Sequence, residues 1–181
     1  AMLNIQIEGV APLLQHTGLS ATESLKQRGR RIAGAGLDNP EEWRKFVYLM
    51  DDGRLGHPPD AIWKALIDAA REFKADKRRT LKEVIKACVF PIGRYAVLQG
   101  KTEPDFIHEC LIVNPATKGR GVRYRPAFQT GWKMEFVLEI SDVETVPVDK
   151  LKEILDYAGL RIGLGDWRPR FGRFMVTRFE R

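Results

Sequence analysis

Between Trp132 and Ile140 every second residue is apolar: Trp132, Met134, Phe136, Leu138 and Ile140 share one side, with Lys133, Glu135 and Glu139 between them. A spacing of two is the signature of a strand with one buried face. Leu3, Ile5 and Ile7 repeat it against Asn4, Gln6 and Glu8. Two other segments carry the helical spacing: Ile62, Trp63, Leu66, Ala69, Ala70 and Phe73 behind Pro59, and Leu151, Ile154, Leu155 and Ala158 within the stretch from Asp149 to Leu160. Pro59 suits a helix start, where its missing N–H is not needed. Strands with one apolar face must be covered by something, and two amphipathic helices can do it.

Further strands are expected over Tyr95–Leu98, Phe106–Val113 and Phe174, Val176–Phe179. The long elements then run strand, helix, strand, strand, helix, strand. That order predicts an α+β chain with a ferredoxin-like (βαββαβ) antiparallel sheet, both helices on one face, and loop or hairpin insertions. All 181 residues fit one domain. Asp52-Gly53 predicts a hairpin turn between Phe46–Met50 and Leu55. Thr80-Leu81-Lys82-Glu83 has capping-box spacing, with Val84, Ile85 and Cys88 following before Pro91 ends the segment. Residues 15–45 lack periodicity and hold Gly18, Gly29, Gly34 and Gly36, which predicts a mobile basic excursion.

The net charge is +6, unevenly spread. Ser20–Gly36 carries +3 and Arg71–Lys86 +4, six arginines face two acids from Arg161 to Arg181, and Glu135–Asp156 carries −5. Such segregation can steer a polyanion to one face, although any one run is also ordinary solvated surface. No apolar run reaches the roughly 20 residues that span a bilayer, and the N-terminus lacks a secretory signal. The expected compartment is the cytoplasm, with no membrane partner; Ala1 before Met2 reads as a cloning remnant.

Cys88 and Cys110 form no C-x-x-C pair, and His16, His57 and His108 stand in no metal-ligating pattern, so neither metal nor cofactor is expected. His57, beside two prolines, reads as a turn residue. Gly100-Lys101-Thr102 is not a phosphate loop, because Tyr95 occupies the position of the required first glycine.

The most informative stretch is Gly163-Leu164-Gly165-Asp166-Trp167-Arg168-Pro169-Arg170-Phe171-Gly172-Arg173-Phe174. Its glycines permit sharp turns and close backbone approach, and its interleaved Trp and Arg offer stacking and phosphate contacts. It reads equally as a helix cap and hairpin with Trp167 and Phe171 tucked into the core. A G-x-G loop followed by G-x-F, between the second helix and fourth strand of such a unit, resembles the signature of the RAMP superfamily of CRISPR-associated proteins. Leu55-Gly56-His57-Pro58-Pro59-Asp60-Ala61-Ile62-Trp63-Lys64-Ala65-Leu66 is similar to that superfamily's entry into its first helix, and Ala11-Pro12-Leu13-Leu14 follows the first strand as expected. The loop departs from the pattern at Gly172-Arg173, where a second G-x-G is common, and at Pro169.

The resemblance implies RNA binding, often as a backbone subunit along a guide strand. It places a thumb-like insertion at 114–130, where Lys118, Arg120, Arg123, Tyr124 and Arg125 suit phosphate contacts around an aromatic ring. The candidate nucleic-acid contacts are therefore these five with Arg28, Arg30, Arg31, Gly163, Gly165, Trp167, Arg168, Arg170 and Arg173. The expected function is non-enzymatic binding of single-stranded RNA or DNA, RNA in preference, as a homo-oligomer or within a larger ribonucleoprotein. Two alternatives stand beside it: a metal-independent endoribonuclease with His16 as acid or base, and an inhibitory or interaction module, such as a phage-encoded one, docking through the open sheet face.

Overall fold

A computed structural model describes residues 1–17, 40–113 and 118–181. Along the chain run β1 (Met2–Gly9), β2 (Leu13–Leu14), a 3₁₀ turn (Glu42–Lys45), β3 (Gly56–His57), α1 (Pro59–Ala69), α2 (Lys82–Cys88), β4 (Val89–Leu98), β5 (Phe106–Val113), β6 (Arg120–Phe128), β7 (Lys133–Ile140), α3 (Val148–Tyr157) and β8 (Phe174–Glu180). The main sheet has the order β3-β4-β7-β1-β8, and every adjacent pair is antiparallel. Its four long strands, β4-β7-β1-β8, reproduce the ferredoxin-like arrangement that the order of elements predicts.

The alternation sets the core. Leu3, Ile5 and Ile7 of β1 lie opposite Leu138, Phe136 and Met134 of β7, and all six pack against Ile62 and Leu66 of α1 and Leu151, Ile154 and Leu155 of α3. Each such side chain contributes about 1.5–3 kcal/mol by leaving water. Among the described residues the opposite sheet face leaves Phe90 and Ile92 exposed. Pro59 opens α1 as expected, and Trp63 at the helix flank donates Nε1–H to Val89 O at 2.7 Å.

Four expectations are corrected. β4 begins at Val89 rather than Tyr95 and runs through Pro91, because short β3 pairs only with Ala96 and Val97 and leaves the strand an edge at the proline. The capping box does not form: Thr80 bridges Lys74 instead, and α2 starts at Lys82 without a side-chain cap. β5 does not join the main sheet but pairs with β6, in a second sheet ordered β2-β6-β5. The insertion is thus a hairpin that begins at Phe106, well before residue 114. The turn at Asp52-Gly53 forms, with Gly53 at φ +82°, but its arms meet only in the single Leu49–Leu55 bridge.

Residues 18–39, which hold most of the predicted excursion with Arg28, Arg30 and Arg31, lie outside the described residues, as do 114–117. Its described ends are mixed, with Pro40, Glu41, Arg44 and Lys45 exposed. Gln15 and Thr17 are buried at one end, and Glu42 and Phe46, just past the excursion's limit, are buried at the other. Among the described residues no helix is long and apolar enough to cross a membrane.

Candidate nucleic-acid interface

The Gly-rich loop leaves α3 through a π-type turn, Ala158–Ile162, and is fastened to the segment after β1. Gly172 N–H donates to Pro12 O at 2.7 Å, Asp166 N–H to Leu14 O at 2.9 Å, and Leu164 N–H to Gly172 O at 2.9 Å. Leu164 is fully buried beneath it. The Leu13–Leu14 segment also pairs with Ala127 and Phe128 of β6, so one short strand ties the loop to the hairpin. A Cβ on Gly165 would lie 2.2 Å from Leu14 O. The close approach that Gly163 and Gly165 provide is therefore to this chain's own backbone, and they position the loop.

This fastening brings Asp166 and Trp167 over the hairpin face that carries His108 and Arg125, a cross-strand pair. Arg125 is 6% exposed. Its Nε lies 2.5 Å from Asp166 Oδ2, yet the N–H is not aimed at the carboxylate, so the contact is an ion pair rather than a hydrogen bond. Its guanidinium carbon stands 5.1 Å from the Trp167 ring centre, within cation–π range. Trp167 meets His108 edge-on at 5.5 Å and is tilted against Phe171 at 6.1 Å, while Arg170 lies over Phe171. The ring is 40% exposed, and its backbone sits at φ +55°, a conformation that is costly for a bulky residue. The alternative with Trp167 tucked into the core is not what the chain adopts.

A second group of side chains abuts the first. His16 stacks on Phe46 at 4.3 Å. Arg123 Nη1 points at His16 Nε2 from 3.3 Å, and its Nε is 3.6 Å from Glu42, whose Oε1 also accepts the Tyr124 N–H. A guanidinium can only donate, so the Nε2 lone pair of His16 is already engaged. As an acid or base His16 is poorly placed. Burial, with Arg123 and Arg125 adding to it against the pull of Asp166, lowers its pKa below 6.5 and leaves the ring neutral at pH 7.

Between these groups opens a cleft of about 250 Å³ lined by His16, Tyr48, His57, Lys64, Asp166 and Arg168. Two of the lining residues to which the sequence assigned no such role, Tyr48 and His57, are linked through Gln15. Gln15, fully buried, donates Nε2–H to Gly56 O at 2.7 Å, lies 3.3 Å from His57 Nδ1, and accepts the Tyr48 N–H at Oε1. His57 is a buried strand residue, not a turn residue, and desolvation, assisted by Arg168, pushes its pKa down to about 4.

As pH falls below 6.5 the unfolded chain protonates His57 before the folded protein does. This contribution to stability is complete above that pH and is lost as pH falls toward 4. The denaturant midpoint should therefore drop between pH 7 and 4.5, and His57→Gln should remove that part of the drop. A drop of equal size in the folded variant would assign it to other groups.

The remaining candidates divide. Lys118, Arg120, Arg168, Arg170 and Arg173 are exposed. Tyr124 pairs across the hairpin with Glu109, on the face opposite Arg123 and Arg125, so the structure does not bring it to Trp167. Four buried polar atoms lack a hydrogen-bond partner among the described residues: Arg123 Nε, Arg125 Nε, Arg125 Nη1 and His108 Nδ1. All belong to this one region. Arg123 Nε and Arg125 Nε face the carboxylates of Glu42 and Asp166 as ion pairs, whereas Arg125 Nη1 and His108 Nδ1 each cost about 1–3 kcal/mol unless something outside the chain satisfies them.

No protein-family model and no curated protein matches this sequence. Among solved structures, the fold is similar to a chain in the cryo-EM structure of the Type III-B Cmr-beta bound to cognate target RNA, with a TM-score of 0.56 and 11% identity. The match covers 99% of this chain and 59% of that one, so this chain spans well under two thirds of its structural neighbour. At this identity the likeness is one of fold: a ferredoxin-like α+β unit of the kind that the Gly-rich loop's resemblance implies.

Proposed function

We propose that the protein binds single-stranded nucleic acid, RNA in preference to DNA, where the Gly-rich loop meets the β5–β6 hairpin, and that it does so without a chemical step. One observation carries this reading: a nine-tenths buried arginine, Arg125, ion-paired through Nε to Asp166, keeps its buried Nη1 without a hydrogen-bond partner among the described residues, directly beneath an exposed, strained tryptophan. A buried guanidinium suits phosphate, and an aromatic face held at the surface suits a base. The full-length fold likeness to a chain from an RNA-bound complex supports RNA as the ligand and a larger ribonucleoprotein as the setting.

Affinity for a short single strand should fall as salt rises, by about 0.7 in log–log slope per phosphate neutralised. Arg123 and Arg125 are ion-paired and poor choices for removal, whereas Arg120, Arg168 and Arg170 are exposed. Replacing those three together with Ala should make the slope shallower by about 2 while leaving the fold intact. A folded triple variant with the parent's slope would place the phosphates elsewhere.

A further inference from the structure

Asp166 is out of character for its surroundings. It lies among Arg125, Arg168, His16 and His108, on a surface that phosphates would have to approach, where a second negative charge repels them. Its side chain remains 30% exposed and lines the cleft. Among the described residues its carboxylate has the Arg125 contact at Oδ2 and no hydrogen-bond donor, so it keeps acceptor capacity for a ligand in the cleft that it lines. The cleft's volume of about 250 Å³ falls below the roughly 300–1,000 Å³ of ordinary small-molecule pockets and leaves room for a single base. Flat rings stand on its walls, His16 backed by Phe46 and Tyr48 set edge-on to His57. Arg168 stands at its margin with no ion-pair partner among the described residues, able to take the attached phosphate.

We propose that this cleft is a guanine-selective subsite in which the Asp166 carboxylate reads the Watson–Crick edge of one unstacked base. The inference rests on the single-strand binding proposed above and adds to it the identity of the base. An ionised carboxylate only accepts hydrogen bonds. Guanine is the one standard base that offers two adjacent donors, N1–H and N2–H, on that edge. Adenine and cytosine set a ring-nitrogen lone pair beside their amino group, and uracil flanks its lone N3–H with two carbonyls, so each of these turns an acceptor toward Asp166. Reading unstacked bases on this edge is the usual route to sequence preference in single-stranded RNA. Arg125 holds the carboxylate in place, and its own buried position keeps the pair from turning outward.

The test is fluorescence anisotropy with labelled eight-nucleotide oligoadenylates carrying adenine, guanine or inosine at one central position. The parent protein should bind the guanine strand about tenfold or more tighter than the all-adenine strand. Inosine, which keeps N1–H but lacks the N2 amine, should fall between. In Asp166→Asn, where one acceptor oxygen becomes a donor, the guanine preference should shrink to within about twofold. The comparison of strands on the parent protein does not depend on how well the variant folds. Salt-sensitive binding by the parent that ignores the central base would overturn this proposal alone and leave Asp166 as a partner of Arg125. No binding of any strand at low salt would overturn the binding proposal with it.

Discussion

Gly172→Ala should lower stability by about 2–5 kcal/mol, the sum of a left-handed backbone imposed on a residue with a Cβ and of overpacking against a fixed neighbour. Gly172 has φ +75°, and a Cβ there would lie 1.7 Å from Leu164 O. That atom belongs to the backbone and cannot swing away. Relief requires the loop to part from Leu164, which breaks the Leu164 N–H to Gly172 O bond and pulls on the Gly172 N–H to Pro12 O bond. Gly100→Ala is the control, because Gly100 also has a positive φ, +66°, but open space where the Cβ would sit. It should lose only the conformational part, about 1–2 kcal/mol. Urea denaturation of the three proteins measures the difference. A Gly172→Ala loss no greater than that of Gly100→Ala would show that the loop is not clamped. Single-strand affinity should fall with stability in Gly172→Ala, since the clamp is what sets Asp166 and Trp167 over Arg125.

The two sheets differ in how plainly they can be read from the chain. β1 and β7 each have one face in the core and one facing out, so their alternation names both the strands and the buried side. β5 is exposed or half-exposed along its whole length, and its alternation says that it is a strand without saying which sheet it joins. Pro91 carries the same ambiguity: a proline ends a helix, and it also sits comfortably on an edge strand, and only the shortness of β3 decides between these. In the site, arginines and aromatic residues are legible as types. Which of them converge is set by the pairing of Leu13–Leu14 with β6 and by the loop's bonds to Pro12 and Leu14, contacts between segments far apart in the chain. His108 would have been placed beside Arg125 by a correct hairpin register. Nothing local marks His57 as buried, because its burial comes from β4 and Gln15.

Trp167→Ala should weaken single-strand binding by about 5- to 150-fold, corresponding to roughly 1–3 kcal/mol for one stacked base, while moving the melting temperature by only a few degrees. The ring is 40% exposed and touches the rim residues His108 and Phe171 rather than the core. Its removal exposes little and leaves no sealed cavity, so a stability change near 1 kcal/mol, or about 2–4 °C, is expected. Trp132→Ala sets the opposite scale, since that ring is fully buried and donates Nε1–H to Ala11 O at 2.8 Å. Emptying such a site costs about 3–5 kcal/mol. The backbone offers a second discriminator. At φ +55° Trp167 sits in a conformation that glycine adopts without penalty, so Trp167→Gly should be at least as stable as Trp167→Ala and bind equally poorly. Of the tryptophans, Trp167 is the exposed one among the described residues, and its fluorescence should be quenched by ligand in the parent, a change that should be lost in Trp167→Ala and Trp167→Gly, where only the other tryptophans emit. A large fall in melting temperature with affinity unchanged would make the ring a clasp between loop and hairpin. Retained stability with lost affinity would show that the chain holds Trp167 in a strained conformation in order to present its face to a base.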